Sequence, residues 1–491
     1  MERLEKYFQQ FRKKIIGIDQ EINTPYGPKK LYYADWIASG RLYEDIEYKL
    51  THVFGPYVAN THTETNTTGT LMTRSYHHAH ELIKKHVNAS KKDVIITAGF
   101  GMTSVVNKLQ RILSLKGCGG QWDRDCVKKE NRPVVFVTHM EHHSNHTSWY
   151  ETIAEVVMLT PDKDLLVNPE DLRRKLEHFK DRKFKIGAFT ACSNVTGVRT
   201  PYHRLARIMH EYGGLCFIDF AANAPYESID MNPPDPMEKL DAIYFSPHKF
   251  LGGPGSSGVL IFDSAMYNSA VPDNPGGGTV DWTNAWGKYK YVDDIEARED
   301  GGTPGFLEAI RAALAIELKE KMDPAKILAR EEELIEIAFR ELDSIPGIKI
   351  LANNERKRLG VISFYHENIH FNMIVKLLND RFGIQVRGGC ACAGTYGHFL
   401  LEVSYETSQK ITDKINHGDL SEKPGWVRWS LHPVMTDEEV LYFTDALKQI
   451  VENYGDWGKE YIYLPKKNEF IHESEKESNE YNLKIVDWFT I

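Results

Sequence analysis

An α/β fold with a mostly parallel sheet, followed by a smaller α+β domain, is predicted for this 491-residue chain by three observations. Short β-rich runs alternate with helical stretches from Tyr32 to about Leu318, the pattern of strands joined by crossover helices. Two of those runs lead into an ionisable residue, Asp219 and Lys249, where α/β sheets place ligands. Beyond Asp323 the order changes to a long helix, two strands, a helix, a strand and a last helix.

In chain order, residues 1–30 are charged, weakly periodic and end in Asn23-Thr-Pro-Tyr-Gly-Pro28, which reads as an N-terminal helix and arm. A large domain follows over 31–320. Its strands are read at Asp93–Thr97, Pro133–Thr138, Lys185–Thr190, Leu215–Asp219, Ala242–Phe245 and Gly258–Phe262. The glycine-rich segment from Lys116 to Arg132, with Cys118 and Cys126, reads as a surface loop. Asp323-Pro324 then opens a long helix as N-cap and first-turn proline, with Ile327, Leu334, Ile337, Ala338 and Leu342 on one face. Strands at Ile348–Leu351, Gly360–Phe364 and Val427–Leu431, a helix near Met373–Leu378 and a last helix from about Asp437 to Val451 make up the smaller domain, 321–491. Within it, 395–424 reads as an insertion and 457–491 as a charged tail.

Bulk properties exclude several classes. A net charge of −9, with no basic tract, argues against a nucleic-acid surface, and 42% hydrophobic with 26% charged residues is the composition of an ordinary globular protein. Neither an apolar N-terminal run nor 18 consecutive uncharged apolar residues occurs, so no membrane span and a cytoplasmic location are expected. Six cysteines in so long a chain form no disulfide framework, and reduced thiols are expected.

The chemistry begins at Ser246-Pro-His-Lys-Phe-Leu-Gly-Gly-Pro-Gly255, where a lysine sits just past a buried strand and before a glycine run. Pyridoxal phosphate needs such an amine for its aldehyde and a carboxylate near its ring nitrogen. Lys249 and Asp219 fit those two roles. Singly, each is more ordinarily a solvated cation and a cap; in order, after strands, they point to that cofactor. Ala98-Gly-Phe-Gly-Met-Thr-Ser104 supplies a glycine turn before a helix, a place for a phosphate or simply a turn. His139, His142, His143 and His146 crowd with Glu141 on a loop and admit a metal cluster, a polar surface or a ring stacked on a flat cofactor. Gln385-Val-Arg-Gly-Gly-Cys-Ala-Cys-Ala-Gly394 adds an arginine and two thiols.

Together these motifs resemble the class V aminotransferase superfamily of fold type I pyridoxal enzymes, and within it the cysteine desulfurases and selenocysteine lyases, over roughly Tyr32 to Ile450. The resemblance implies a seven-stranded, mostly parallel sheet, pyridoxal 5′-phosphate as cofactor, and a homodimer. It places Lys249 on the aldehyde, Asp219 on the ring nitrogen with Ala221 beside it, and His142 over the ring as a proton carrier. Gly101, Met102, Thr103, Ser246 and His248 would take the phosphate, Met102 through its backbone N–H. Thr303 would arrive from the partner subunit. Asn194, in Ser193-Asn-Val-Thr-Gly197, would meet the cofactor's phenolic oxygen or the substrate, and Arg387 a substrate α-carboxylate. Where the family often carries Gln after the ring aspartate this chain has Ala222, with Asn223 next to it.

On this register Cys392 is the nucleophile, as thiolate. Cys390, two residues before it on a segment read as extended, would point to the same side and either relay sulfur or pack. The expected activity is a desulfurase-like carbon–sulfur lyase that moves sulfur from L-cysteine, a small amino-acid substrate, to Cys392 as persulfide and releases L-alanine, with a sulfur-acceptor protein as partner. The alternatives are another lyase acting on selenocysteine or a cysteine sulfoxide, an aminotransferase or epimerase, a scaffold that has lost catalysis, or a metal-dependent hydrolase on the histidine cluster.

Overall fold

The computed structural model describes residues 4–116, 127–475 and 480–491. The expected loop carrying Cys118 and Cys126 lies largely outside them. Seven strands form the central sheet: β1 (Asp93–Ala98), β2 (Val134–Val137), β3 (Glu155–Met158), β4 (Lys185–Thr190), β5 (Leu215–Asp219), β6 (Ala242–Phe245) and β7 (Gly258–Asp263). Their spatial order is β1-β7-β6-β5-β4-β2-β3. Pairings from β6 through β3 are parallel, whereas β7 runs antiparallel to both β6 and β1. The six apolar runs seen in the sequence are six of these strands. β3, at the sheet edge and half-buried throughout, carries no such run of full burial and escaped that reading.

Helices cover both faces, and their inner residues split the core into two clusters, one on each side of the sheet. Val105, Val106, Leu109 and Ile112 of the helix Met102–Ile112 are buried against one face. Leu205, Ala206, Ile208 and Met209 of Tyr202–Glu211 are buried against the other. Arg111 of the first helix and Arg204 and Glu211 of the second face outward, as a period near 3.6 requires, whereas Lys108 is buried and paired with Glu299.

A second, four-stranded antiparallel sheet has the order β8-β9-β11-β10, from β8 (Ile348–Ile350), β9 (Val361–His366), β10 (Arg387–Gly389) and β11 (Trp426–Ser430). The long helix before it spans Pro324–Leu342, and Asp323 caps it by accepting from the Ala325 N–H at 3.1 Å. Its buried face holds Ile327, Leu334, Ala338 and Leu342 as expected, but Ile337 is only half-buried, while Arg330 and Glu331 turn inward. The last long helix runs further than expected, Asp437–Trp457, from a capping box of Thr436 and Glu439. Segment 395–424 carries the helices Gly394–Leu400 and Tyr405–Asn416, and 461–472 forms a hairpin against Phe371–Phe382.

The N-terminal segment joins the second sheet. Tyr32–Tyr33 pairs in parallel with Ile384–Gln385, and Asp35 bridges to Ser430. No helix among the described residues is long and apolar enough to cross a membrane.

Candidate active site

The carboxyl ends of β1, β2, β4, β5 and β6 face one cleft of about 240 Å³ that the loop after β10 closes from the other side. Asp219 ends β5 and forms the cleft's buried floor, 3% exposed. One of its oxygens accepts from the Ala221 N–H at 2.8 Å. Burial pushes its carboxyl up from 3.8 to about 6, against that hydrogen bond and the nearby charge of Lys249. Lys249 ends a single 3₁₀ turn after β6, and burial draws its amine down to about 8. An acid driven up and an amine driven down in one cleft are the mark of a site that uses proton and charge transfer.

The raised carboxyl has a consequence for stability. Its folded pKa lies above its unfolded value, so the stability tied to the protonated form is full below about pH 4 and lost as pH rises through about 6. Two units correspond to about 3 kcal/mol. Cofactor-free Asp219→Asn is therefore expected to unfold at a higher temperature than wild type at about pH 7, the gap closing towards about pH 4. Thermal scans of both proteins across that range check it; a gap independent of pH counts against the burial argument.

The turn after β1 supplies a small concavity. A Cβ on Gly101 would lie 3.0 Å from both Ser246 Oγ and the His248 ring, so only glycine leaves that space open. His248 Nδ1–H donates to the Phe100 carbonyl at 3.0 Å, which ties the two loops together. The Met102 N–H, expected to be free for a phosphate, is instead engaged by Ser246 Oγ at 2.8 Å. Thr103 lines the cleft and its hydroxyl meets Ser144 Oγ at 2.6 Å. Thr303 is exposed, donates to Asn60 Oδ1 at 3.3 Å and does not line this cleft.

The histidine-rich loop disperses rather than converging. His139 meets the Leu165 carbonyl, His143 Nε2 accepts from the Gly394 N–H, and His146 lies between Tyr150 and Thr395. His142 alone of the four lines the cleft. Its Nδ1 caps the helix His143–Tyr150 by accepting from the Ser144 N–H at 3.2 Å, so the neutral ring carries its proton on Nε2. Burial and the Lys249 charge push His142 down to about 3, so it is neutral at ordinary pH. Beneath it Glu141 is fully buried, pushed up to about 8 by that burial, and accepts from Thr138, Asn145 and the Thr190 N–H. Tyr244 adds its hydroxyl to Asn145 at 2.6 Å. That network stiffens the floor and was missed in the sequence.

Asn194 enters the cleft from the loop after β4, where Gly197, at φ +70°, packs so closely on Leu359 that a Cβ would lie 2.4 Å from its carbonyl. Asn194 Nδ2 donates to the Ala391 carbonyl at 2.8 Å, and its Oδ1 is buried with no partner. Asn223, next to Ala222, turns away to Glu227.

From the opposite wall come Arg387, Ala391, Cys392 and Arg428. The cysteine segment is not extended as expected. Ala391 and Cys392 both have positive φ, 51° and 57°, and the Ala393 N–H closes a tight turn on the Cys390 carbonyl at 3.0 Å. Non-glycine residues in that region cost on the order of 1 kcal/mol or more each. The turn is held by Asn194 on Ala391 and by the His143 N–H on the Cys392 carbonyl at 2.8 Å. Because the backbone curls, Cys390 does not share the cleft with Cys392.

Arg428, missed in the sequence, is the buried guanidinium of the site, 3% exposed in the middle of β11. It donates to Asp35 Oδ1 at 2.7 Å while Arg387, half-exposed, donates to Asp35 Oδ2 at 3.0 Å. Arg428 Nε is buried without a partner. A charged residue inside Trp426-Val-Arg-Trp-Ser was the available signal, because a buried strand admits a cation only for a reason.

The chain is similar in sequence and fold to known proteins. The family described as aminotransferase class-V matches residues 32–443. A probable cysteine desulfurase of Halalkalibacterium halodurans is 29% identical over 389 residues, 78% of this chain and 88% of that protein. Another, of Staphylococcus aureus strain Mu50, is 29% identical over 415 residues, 81% and 93% of the two chains. Among solved structures, a cysteine desulfurase from Thermococcus onnurineus NA1 superposes with a TM-score of 0.72 at 21% identity, covering 90% of this chain and 98% of that one. The cysteine desulfurase CsdA from Escherichia coli gives 0.70 at 21%, covering 91% and 98%. The shared fold is the seven-stranded α/β architecture with its smaller second domain.

Proposed function

The chain belongs to the class-V aminotransferase family, and on that premise we propose that it is a pyridoxal 5′-phosphate-dependent cysteine desulfurase, taking sulfur from L-cysteine onto Cys392 and releasing L-alanine. The observation that carries this reading is the clamped turn that sets Cys392 at the mouth of the cleft floored by Asp219 and Lys249.

The residues present fit the cofactor. The space kept open by Gly101 beside Ser246, His248 and Thr103 suits its phosphate at the start of a helix, and the buried carboxyl of Asp219 suits its ring nitrogen. Lys249 would hold its aldehyde carbon, His142 would lie on its ring, Ala221 would border it, and Asn194, whose Oδ1 alone lacks a partner, would meet its phenolic oxygen. When bound, pyridoxal phosphate supplies an electron sink for charge developing at an amino acid's Cα.

The chain's own groups do the rest. Lys249, with an amine near 8, releases and takes up a proton at the substrate Cα within ordinary pH. His142 Nε2–H donates into the cleft and steadies the substrate sulfur. Arg428 binds the substrate carboxylate with the N–H it leaves unpartnered, and Asp35 holds Arg428 and Arg387 in register. Cys392 Sγ attacks the substrate sulfur, forming one S–S bond as the carbon–sulfur bond breaks, and the carbon that keeps that electron pair takes up a proton to become the methyl group of alanine. A homodimer in which the exposed Thr303 reaches the other subunit's phosphate completes the reading, with a sulfur-acceptor protein as the partner.

The deciding experiment incubates the cofactor-loaded protein with L-cysteine and a reductant. Alanine with sulfide is expected; pyruvate with ammonia, or a keto acid with an aminated cofactor, overturns the reading. The same assay with L-selenocysteine and cysteine sulfinate ranks the substrates. Arg428→Lys is expected to keep the cofactor's colour and raise KM for L-cysteine about 10- to 100-fold, the worth of one or two charged hydrogen bonds, with Arg387→Lys changing it far less. Steady-state kinetics of the two variants check the assignment, and equal losses would return the carboxylate to Arg387.

A further inference from the structure

Behind the cysteine turn lies a second and larger cleft of about 650 Å³, between the helix Phe371–Phe382, the end of the insertion and the hairpin at 461–472. Arg387, Ala391 and Cys392 line both clefts, so the turn is the partition between them. Cys390 lines only the larger one. It is half-buried and Cys392 exposed, and both are free thiols. They sit at the first and third positions of one turn, whose ends lie less than about 7 Å apart.

Sulfur delivered to Cys392 starts on the side of the narrow cleft. At about 240 Å³, that cleft has little room for an acceptor beside the cofactor and substrate it would hold. An acceptor thiol has space only in the larger cleft, which Cys392 borders from the partition and which Cys390 lines without touching the narrow one. Resting on the desulfurase reading above, we propose that Cys390 is a second sulfur carrier, which takes the sulfur from Cys392 and presents it to an acceptor thiol entering the larger cleft.

The step needs no added oxidant or reductant. The Cys390 thiolate attacks the outer sulfur of the Cys392 persulfide; a bond from that sulfur to Cys390 forms as its bond to Cys392 Sγ breaks. Cys392 leaves as the thiolate, ready for another substrate, and the proton given up by Cys390 is available to it. The strained backbone gives the pair a fixed geometry, because Asn194 and His143 pin the two carbonyls between the thiols and the helix that follows.

The test follows the sulfur directly. Cofactor-loaded protein receives one equivalent of L-cysteine per site and is quenched with iodoacetamide over a time course. The tryptic peptide 388–410, which carries both thiols, is then fragmented between them. One added sulfur atom is expected first on Cys392 and later on Cys390. In Cys390→Ser the sulfur stays on Cys392 and its transfer to dithiothreitol slows at least about tenfold, a barrier difference of about 1.4 kcal/mol. Cys390→Ala should behave alike, which separates the lost thiol from any effect of the serine hydroxyl.

Sulfur that never reaches Cys390, with transfer to dithiothreitol unchanged in both variants, overturns the proposal. So does a Cys390–Cys392 disulfide with release of sulfide, the product of attack on the inner sulfur. Absence of both alanine and persulfide in the wild type is a different result: it removes the desulfurase reading itself, and the relay with it.

Discussion

Lys249→Ala is expected to yield a folded protein that fixes no pyridoxal phosphate on borohydride treatment and forms alanine from L-cysteine at least about 10³-fold more slowly. The effect is large because two roles fall on one amine, holding the cofactor and moving the proton at Cα. The Lys249 side chain reaches the cleft from a short turn held by backbone bonds on either side, Lys249 N–H to Ser246 and Phe250 N–H to Pro247, which the alanine variant keeps. A lowered amine pKa is not by itself the reason to choose it. Lys319 is drawn lower, to about 7, by burial, yet it donates to the Ala224 and Glu227 carbonyls and lines no part of the cleft. Borohydride followed by peptide mapping therefore distinguishes the two. An adduct on Lys319, or on any lysine but Lys249, would remove the assignment together with the proposed mechanism.

The parts of this site that were legible in the sequence are those whose function and local structure coincide. Asp219 ends a run of apolar residues and Lys249 follows another, so strand ends and titratable groups could be read in one pass. The glycine turn at Gly101 was legible for the same reason. Arg428 and Asp35 were not, because their partnership spans 393 residues and depends on the N-terminal segment crossing to the second sheet. The curl at Ala391 and Cys392 was hidden for a different reason: neither is glycine, and only contacts from Asn194 and His143, distant in the chain, hold them at positive φ. The expectation that the segment is extended and brings Cys390 into the cofactor cleft failed on that one backbone feature, although both thiols line the larger cleft. The edge strand β3 was lost because half-burial leaves no strong period to read.

Cys392→Ala is the second large effect, and it separates the desulfurase reading from its relatives. The turn is held through main-chain carbonyls, that of Ala391 by Asn194 and that of Cys392 by the His143 N–H, and alanine keeps both. The side chain is exposed and alanine tolerates the same φ as cysteine, so stability should change by no more than about 0.5 kcal/mol. Cofactor colour and the borohydride adduct on Lys249 should persist, since neither depends on the thiol. What should disappear is the nucleophile: sulfur transfer from L-cysteine is expected to fall at least about 10³-fold, as when a nucleophile is removed from a machinery that acts as a unit. An aminotransferase or epimerase working in the same cleft would be nearly indifferent to this change. Single-turnover alanine formation, measured beside the absorption of the bound cofactor, is the readout. A variant that keeps both colour and turnover would leave Lys249 and Asp219 in place while moving the chemistry away from sulfur, because the one group able to attack a sulfur atom from the cleft's mouth would have proved unnecessary.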